Sequence, residues 1–162
     1  MLIPLFINLN LLDTYGDEED EIVNVILLVG GVETERYKIY LLHKYGFSEP
    51  AVDYGTIGSG AAYAEYLLGK YYRQNIDVNI GKRLAVYVVK EVEKMDPNVG
   101  GDVKIVVIDK EGYHEVERDE IDRIQEVVSK YDKLAHKLMG DLLNGNVKVE
   151  DVKVMMKTKI ND

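Results

Sequence analysis

The chain has 162 residues, 46% of them hydrophobic, which suits one domain with a real core. Cysteine is absent, which excludes disulfides, thiol nucleophiles and Cys-ligated zinc or iron–sulfur sites. The formal net charge is −9 with Lys and Arg scattered and outnumbered, so the basic stripe of a nucleic-acid binder is missing.

Residues 1–16 are apolar and close on Asp13-Thr14-Tyr15-Gly16. Leu5, Leu9 and Leu12 share a helical face with Phe6 beside them, so the segment reads as the tail of a helix stopped by Gly16. There is no basic n-region, no small-residue cleavage site and no apolar run of about 18 residues, so a cytoplasmic chain is expected. Asp17 to Glu21 reads as a solvated acidic loop; it lacks the alternating oxygen ligands and turn glycine of a calcium site. Ile22 to Val32 is a continuous apolar run and predicts a strand buried on both faces. Tyr37 to Leu42 predicts a second strand, joined to the first as an antiparallel hairpin around Glu33 to Arg36. After a turn at Lys44 to Ser48, Ala51 to Ile57 predicts a third strand that runs into Gly58-Ser59-Gly60.

Two helices follow, Ala61 to Tyr72 and Val78 to Met95, with a corner at Gln74 to Asp77. In the second, Ile80, Leu84, Val88, Val92 and Met95 recur at helical steps. Asp96 to Gly101 breaks that helix, and Asp102 to Asp109 predicts a strand, turned by Lys110-Glu111-Gly112 into a partner at Tyr113 to Glu117. A long amphipathic helix is predicted from Asp119, as N-cap, to about Asn144. Ile121, Ile124, Val128, Tyr131, Ala135, Leu138 and Leu142 form its heptad-like seam, which fits either the chain's own sheet or a neighbouring subunit. Val147 to Ile160 is a basic tail with strand character.

Three chemistries can be weighed on these residues. The glycine turn follows a strand and opens a helix, as a phosphate cradle does, but its G-x-G-x-x-x-A spacing departs from the dinucleotide fingerprint. A Ser59, His114 and Asp96 triad lacks the G-x-S-x-G elbow. His43, His114 and His136 show no metal-ligand spacing, and no cofactor is expected.

The ordered set is more specific than any one motif. Val29-Gly30-Gly31-Val32, Tyr54 to Gly60, the helix pair, Asp96 with Gly100-Gly101-Asp102-Val103, and Ile108 to Gly112 resemble the second half of a proteasome core subunit, β-type favoured, along roughly Asn8 to Val128. The resemblance implies an α+β fold, the αββα sandwich of the N-terminal-nucleophile hydrolases, here partial with its first strands missing. It divides a single domain into a proteasome-like region, 8–128, and an extra C-terminal helix and tail, 129–162.

The resemblance also implies a subunit of a homo- or hetero-oligomeric ring in a self-compartmentalised protease. Such a ring would take polypeptide substrates if active, with no nucleic-acid or membrane partner. Catalytic members of that family attack with the hydroxyl of an N-terminal threonine, helped by its amine, a lysine and an aspartate. Thr14 matches the end of a later helix instead, so a truncated or non-catalytic relative without its own nucleophile is expected. Whether the chain is an enzyme stays open on this reading. Ser59 and Asp96 carry over as supporting positions, while Val99 replaces a serine and offers no hydroxyl. Two other readings compete: an acidic interaction module that dimerises through the helix from Asp119, and a nucleotide-binding domain built on Gly58-Ser59-Gly60.

Overall fold

In the computed structural model the described residues are 26–33, 36–43, 46–146, 148, 150 and 151. The expected helix tail at 1–16 and the acidic run Asp17 to Glu21 lie outside them. So does most of the basic tail, of which Glu150 and Asp151 are helical.

Strands β1 (Ile26–Glu33) and β2 (Arg36–His43) form the expected antiparallel hairpin, in register from Ile26 opposite His43 to Glu33 opposite Arg36. Strand β3 (Ser48–Ala51) pairs antiparallel with β2, giving the order β1-β2-β3. Two expectations are corrected here. The third strand lies upstream of Ala51 to Ile57, and Ala51 is its last residue. Pro50 has no N–H to donate, which an edge strand tolerates. Beyond Ala51 the chain leaves the sheet and brings Gly55 under it. A Cβ on Gly55 would stand 2.7 Å from Leu28 Cδ1 and 3.7 Å from Ile39 Cγ2.

The second correction concerns β1, which is not buried on both faces: Leu27 and Val29 are 49% and 43% exposed. Among the described residues the sheet is an antiparallel layer covered on one side, which a continuous apolar run does not reveal.

Helices α1 (Ala61–Tyr71) and α2 (Val78–Met95) hold most of the core. Asn75 takes the left-handed conformation (φ 62°) at the corner between them. Asp77 caps α2, its carboxylate accepting from the Asn79 N–H at 2.7 Å and the Ile80 N–H at 3.4 Å. The buried stripe of α2 is Gly81, Ala85, Val88, Val89 and Val92 with Val86, while Ile80 and Met95 are exposed. Val88 and Val92 of the expected face are buried, while its ends Ile80 and Met95 give way to Gly81, Ala85 and Val89. Gly81 and Ala85 are small enough to bring the backbone inward, and α1 turns Ala64 and Leu68 into the same core.

Strands β4 (Val106–Asp109) and β5 (Gly112–Glu115) make a second antiparallel pair. The ladder is shorter than the expected Asp102 to Asp109, but Val103 and Ile105 ahead of it are buried. The Asp109 carboxylate closes the turn by accepting from the Glu111 N–H at 2.8 Å.

Helix α3 spans Arg118–Leu143. Asp119 is not its cap. The Glu117 carbonyl accepts from Glu120 and Ile121 at 3.0 and 3.2 Å, so Asp119 lies in the first turn, where a negative charge suits the helix N-terminus. The helix stops as the glycine at 145 implies. Gly145 has φ +72°, and the Asn146 and Gly145 N–H groups donate to the Asp141 and Leu142 carbonyls. By packing, the chain divides into two compact units, Met1–Ile124 and Gln125–Asp162, the cut falling within α3. In the described part of the first, Ile121 is buried; in the second, Val127, Tyr131, Leu134, Met139, Leu142 and Leu143 of the helix are exposed.

Candidate functional site

The turn before α1 and the end of α2 build one corner. Gly58 takes φ 100° and its carbonyl accepts from the Ala61 N–H at 3.1 Å, which turns the chain into α1. Gly60 is then pressed against α2: a Cβ there would meet Val92 Cγ1 at 2.3 Å, Val99 Cγ2 at 3.0 Å and Asp96 Oδ2 at 3.8 Å. Only glycine fits this approach. The space beside Gly60 is thus filled by two valines and a carboxylate.

Asp96 ends α2, its N–H donating to the Val92 carbonyl at 2.8 Å. Its side chain turns back on its own loop and accepts from the Asn98 N–H at 2.9 Å. The Ser59 hydroxyl, from the glycine turn, stands near enough to the same carboxylate to favour its charged form. The residue is only 7% exposed, yet its carboxyl is held below the ordinary 3.8. The Asn98 backbone bond is the largest cause and the Ser59 hydroxyl the next, and together they outweigh burial. Asp96 is thus an ionised, hydrogen-bonded carboxylate beneath an exposed serine. The two residues singled out in the sequence, from opposite ends of the helix pair, are brought together. Val99 meets them as a packing group: it is buried and lies against Gly60.

The Ser59, His114 and Asp96 triad does not assemble, because His114 Nε2 sits 3.2 Å from Asp109 Oδ1 in the β4–β5 hairpin. The other two histidines also face carboxylates, His43 with Glu49 at 3.2 Å and His136 with Asp132 at 3.1 Å. Among the described residues no group of His, Asp and Glu is placed to hold a metal ion.

Sequence reasoning missed Thr56. Its hydroxyl is nearly buried and donates to the Ala61 carbonyl at 3.4 Å and to Glu65 at 3.3 Å, tying the end of the extended segment to the first turns of α1. A hydroxyl five residues ahead of a helix start was the available signal. A cleft of about 510 Å³ lies elsewhere, between β4, β5 and the start of α3, lined by Asp102, Lys104, Glu115, Glu117, Arg118 and Ile121. Its charges partly satisfy one another, since Arg118 bridges Asp102 at 3.1 Å and Asp122 at 2.9 Å.

A family model described as proteasome subunit matches residues 5–108, a stretch that contains the whole Ser59–Asp96 corner. The chain belongs to the proteasome subunit family. It is 34% identical over 100 residues to the proteasome subunit beta of Archaeoglobus profundus, covering 62% of this chain and 46% of that protein. To the proteasome subunit beta 2 of Pyrobaculum neutrophilum it is 37% identical over 91 residues, 56% of this chain and 44% of that protein. To the proteasome subunit beta of Methanosarcina thermophila it is 33% identical over 97 residues, 60% and 46% of the two chains. The chain therefore spans less than half the length of the curated relatives it matches.

These are β-type relatives, and the proteasome fold is the α+β sandwich of the N-terminal-nucleophile hydrolases. The two antiparallel sheets and the α1–α2 pair are consistent with a part of it. The whole of β5 and of α3 lies beyond residue 108, where the proteasome match ends. No described helix is long and apolar enough to cross a membrane.

Proposed function

We propose that this chain serves as a β-type subunit in the ring of a self-compartmentalised protease, contributing the supporting corner of an active site rather than its nucleophile. The nearly buried Asp96 carboxylate, bonded by the Asn98 N–H and held in its charged form with the nearby Ser59 hydroxyl, carries this reading. A fixed negative charge capped by an exposed hydroxyl suits the holding of a nearby ammonium group, the role that the family resemblance gives these two positions. Val99 supplies no hydroxyl to that network, and Thr56, the described threonine, keeps its hydroxyl on Ala61 and Glu65. Residues 8–128 form the proteasome-like region on this reading, with 129–162 an added arm. The location is the cytoplasm, the partners are other subunits, and the substrate of the assembled ring is polypeptide.

The test is a purified full-length chain assayed with fluorogenic peptides and unfolded casein, with its mass followed by sedimentation. A multi-subunit species without turnover above buffer is expected. Hydrolysis that scales with protein and vanishes in Asp96→Asn would overturn the non-catalytic role, and a strictly monomeric chain would overturn the ring.

The exposed apolar face of α3 favours a second reading, an acidic interaction module that associates through this helix. On that reading Val128→Asp combined with Leu138→Asp abolishes self-association; an oligomer that survives both changes removes it. The filled glycine turn gives the nucleotide-binding alternative no support.

A further inference from the structure

We infer that Thr56 is a positioning residue: its hydroxyl clamps the incoming end of the glycine turn and so holds Ser59 beside the Asp96 carboxylate. This rests on the reading of Ser59 and Asp96 as one supporting pair, and it names what aligns that pair. Among the described residues the buried polar side chains are Thr56 and Asp96, and both belong to this corner. Asp96 lies against Gly60, on one side of Ser59 in the chain, and Thr56 precedes Ser59 on the other. A valine would fill the space of Thr56 with no polar atom to satisfy, so what the hydroxyl adds is a directed contact.

That contact spans the turn. The Thr56 hydroxyl donates to the Ala61 carbonyl at 3.4 Å and to Glu65 at 3.3 Å, both of which come after Ser59. Residues Ile57 to Gly60 are thereby closed into a loop. The loop needs such a closure, because it contains two glycines, with Gly58 at φ 100°, and Gly60 supplies no side chain to cap α1. Its outgoing end is held by the Ala61 N–H on the Gly58 carbonyl and by Gly60 pressed against Val92 and Val99. Thr56 holds the incoming end. Ser59 itself is exposed, so no packing fixes its side chain. A hydrogen-bonding contact weakens steeply with misalignment, so a loop released at one end presents the hydroxyl to Asp96 less often.

The Asp96 carboxyl reports on this alignment. The causes that lower it are the Asn98 backbone and side chain and the Ser59 hydroxyl, with no charged neighbour among them. The experiment follows the Asp96 carboxyl by ¹³C NMR titration in the full-length chain, with the resonance assigned through Asp96→Asn and urea unfolding measured in parallel. Thr56→Val keeps the shape and removes the hydroxyl; it is expected to move the titration toward 3.8 as far as Ser59→Ala does. The double variant is expected to move it no further, because both changes act through one contact. Thr56→Ser keeps the hydroxyl and loses a methyl group; it is expected to lower stability and leave the titration where it was. A Thr56→Val titration that stays at the wild-type position while Ser59→Ala moves it overturns the inference and leaves the supporting pair standing. So does a double variant in which the two shifts add. A silent Ser59→Ala removes the pair and this inference together. Where Thr56→Val does not fold, Thr56→Ser decides alone: a moved titration overturns the positioning role, and an unmoved one with weakened folding supports it.

Discussion

The Gly60 corner and the α3 arm use the same kinds of residue to opposite ends. At the corner, valines from α2 and its following loop close on a glycine so tightly that no Cβ fits, and a carboxylate is buried with its partners already in place. Along the arm, larger apolar side chains stand in solvent with nothing in the described residues of their own unit covering them. Apolar side chains stabilise a fold where geometry lets them meet, and elsewhere they are available for a partner. Mutations should therefore be costly at the corner and its core, and nearly silent for folding along the arm.

The largest effect is expected from Leu68→Ala, which empties one of the fully buried positions of α1. About 3 kcal/mol of unfolding free energy should be lost in urea denaturation. Gly60→Ala comes next: its Cβ cannot be placed without moving Val92 and Val99, and a loss of about 2 kcal/mol is expected by the same measurement. A smaller loss would mean that the corner opens easily and that the close approach is not essential. Asp77→Ala removes two hydrogen bonds at the start of α2 and should cost about 1 kcal/mol. Leu134→Ser on the arm should change unfolding free energy by less than about 0.5 kcal/mol; a larger loss would show that the arm's face is packed after all.

The pH dependence separates the two regions in another way. The folded Asp96 carboxyl titrates below its ordinary value of 3.8. Its contribution to stability is therefore fully present above that ordinary value and is lost as pH falls through the lower folded one. Ser59→Ala removes the second-largest cause of the depression, so the Asp96 carboxyl should titrate closer to 3.8, as followed by carboxyl ¹³C NMR. An unchanged titration would mean that the serine does not hold the carboxylate in solution.

Element types were legible because they depend on neighbours in the chain. The hairpin of β1 and β2, the two helices with their corner, and the glycine stop of α3 all follow from local turn chemistry and helical spacing. Which face each element buries was not legible. On α2, the periodicity of Ile80, Leu84, Val88, Val92 and Met95 found the buried Val88 and Val92 but not the ends of the stripe, because a helix bearing Gly81 and Ala85 can approach its neighbour more closely on that side. The register of β3 was missed for a similar reason. Pro50 weakens a strand reading unless the strand is known to lie on an edge, and edge position is a property of the sheet.

The Ser59–Asp96 pair lies between these extremes. An ordered set of motifs in the sequence led to the expectation that both residues hold supporting positions of one family. It carried no information on whether the two would touch here. By itself the sequence determined the order of elements, the absence of cysteine chemistry, the net negative charge, and glycine where the chain turns into α1. The tertiary structure decided that Gly60 is a packing corner and that Asp96 is held ionised by Ser59 and Asn98. It also decided that the face of α3 is left open within its own unit. The physical reason is that backbone conformation and charge are written locally, whereas burial, pKa and vacancy depend on what the rest of the chain brings alongside.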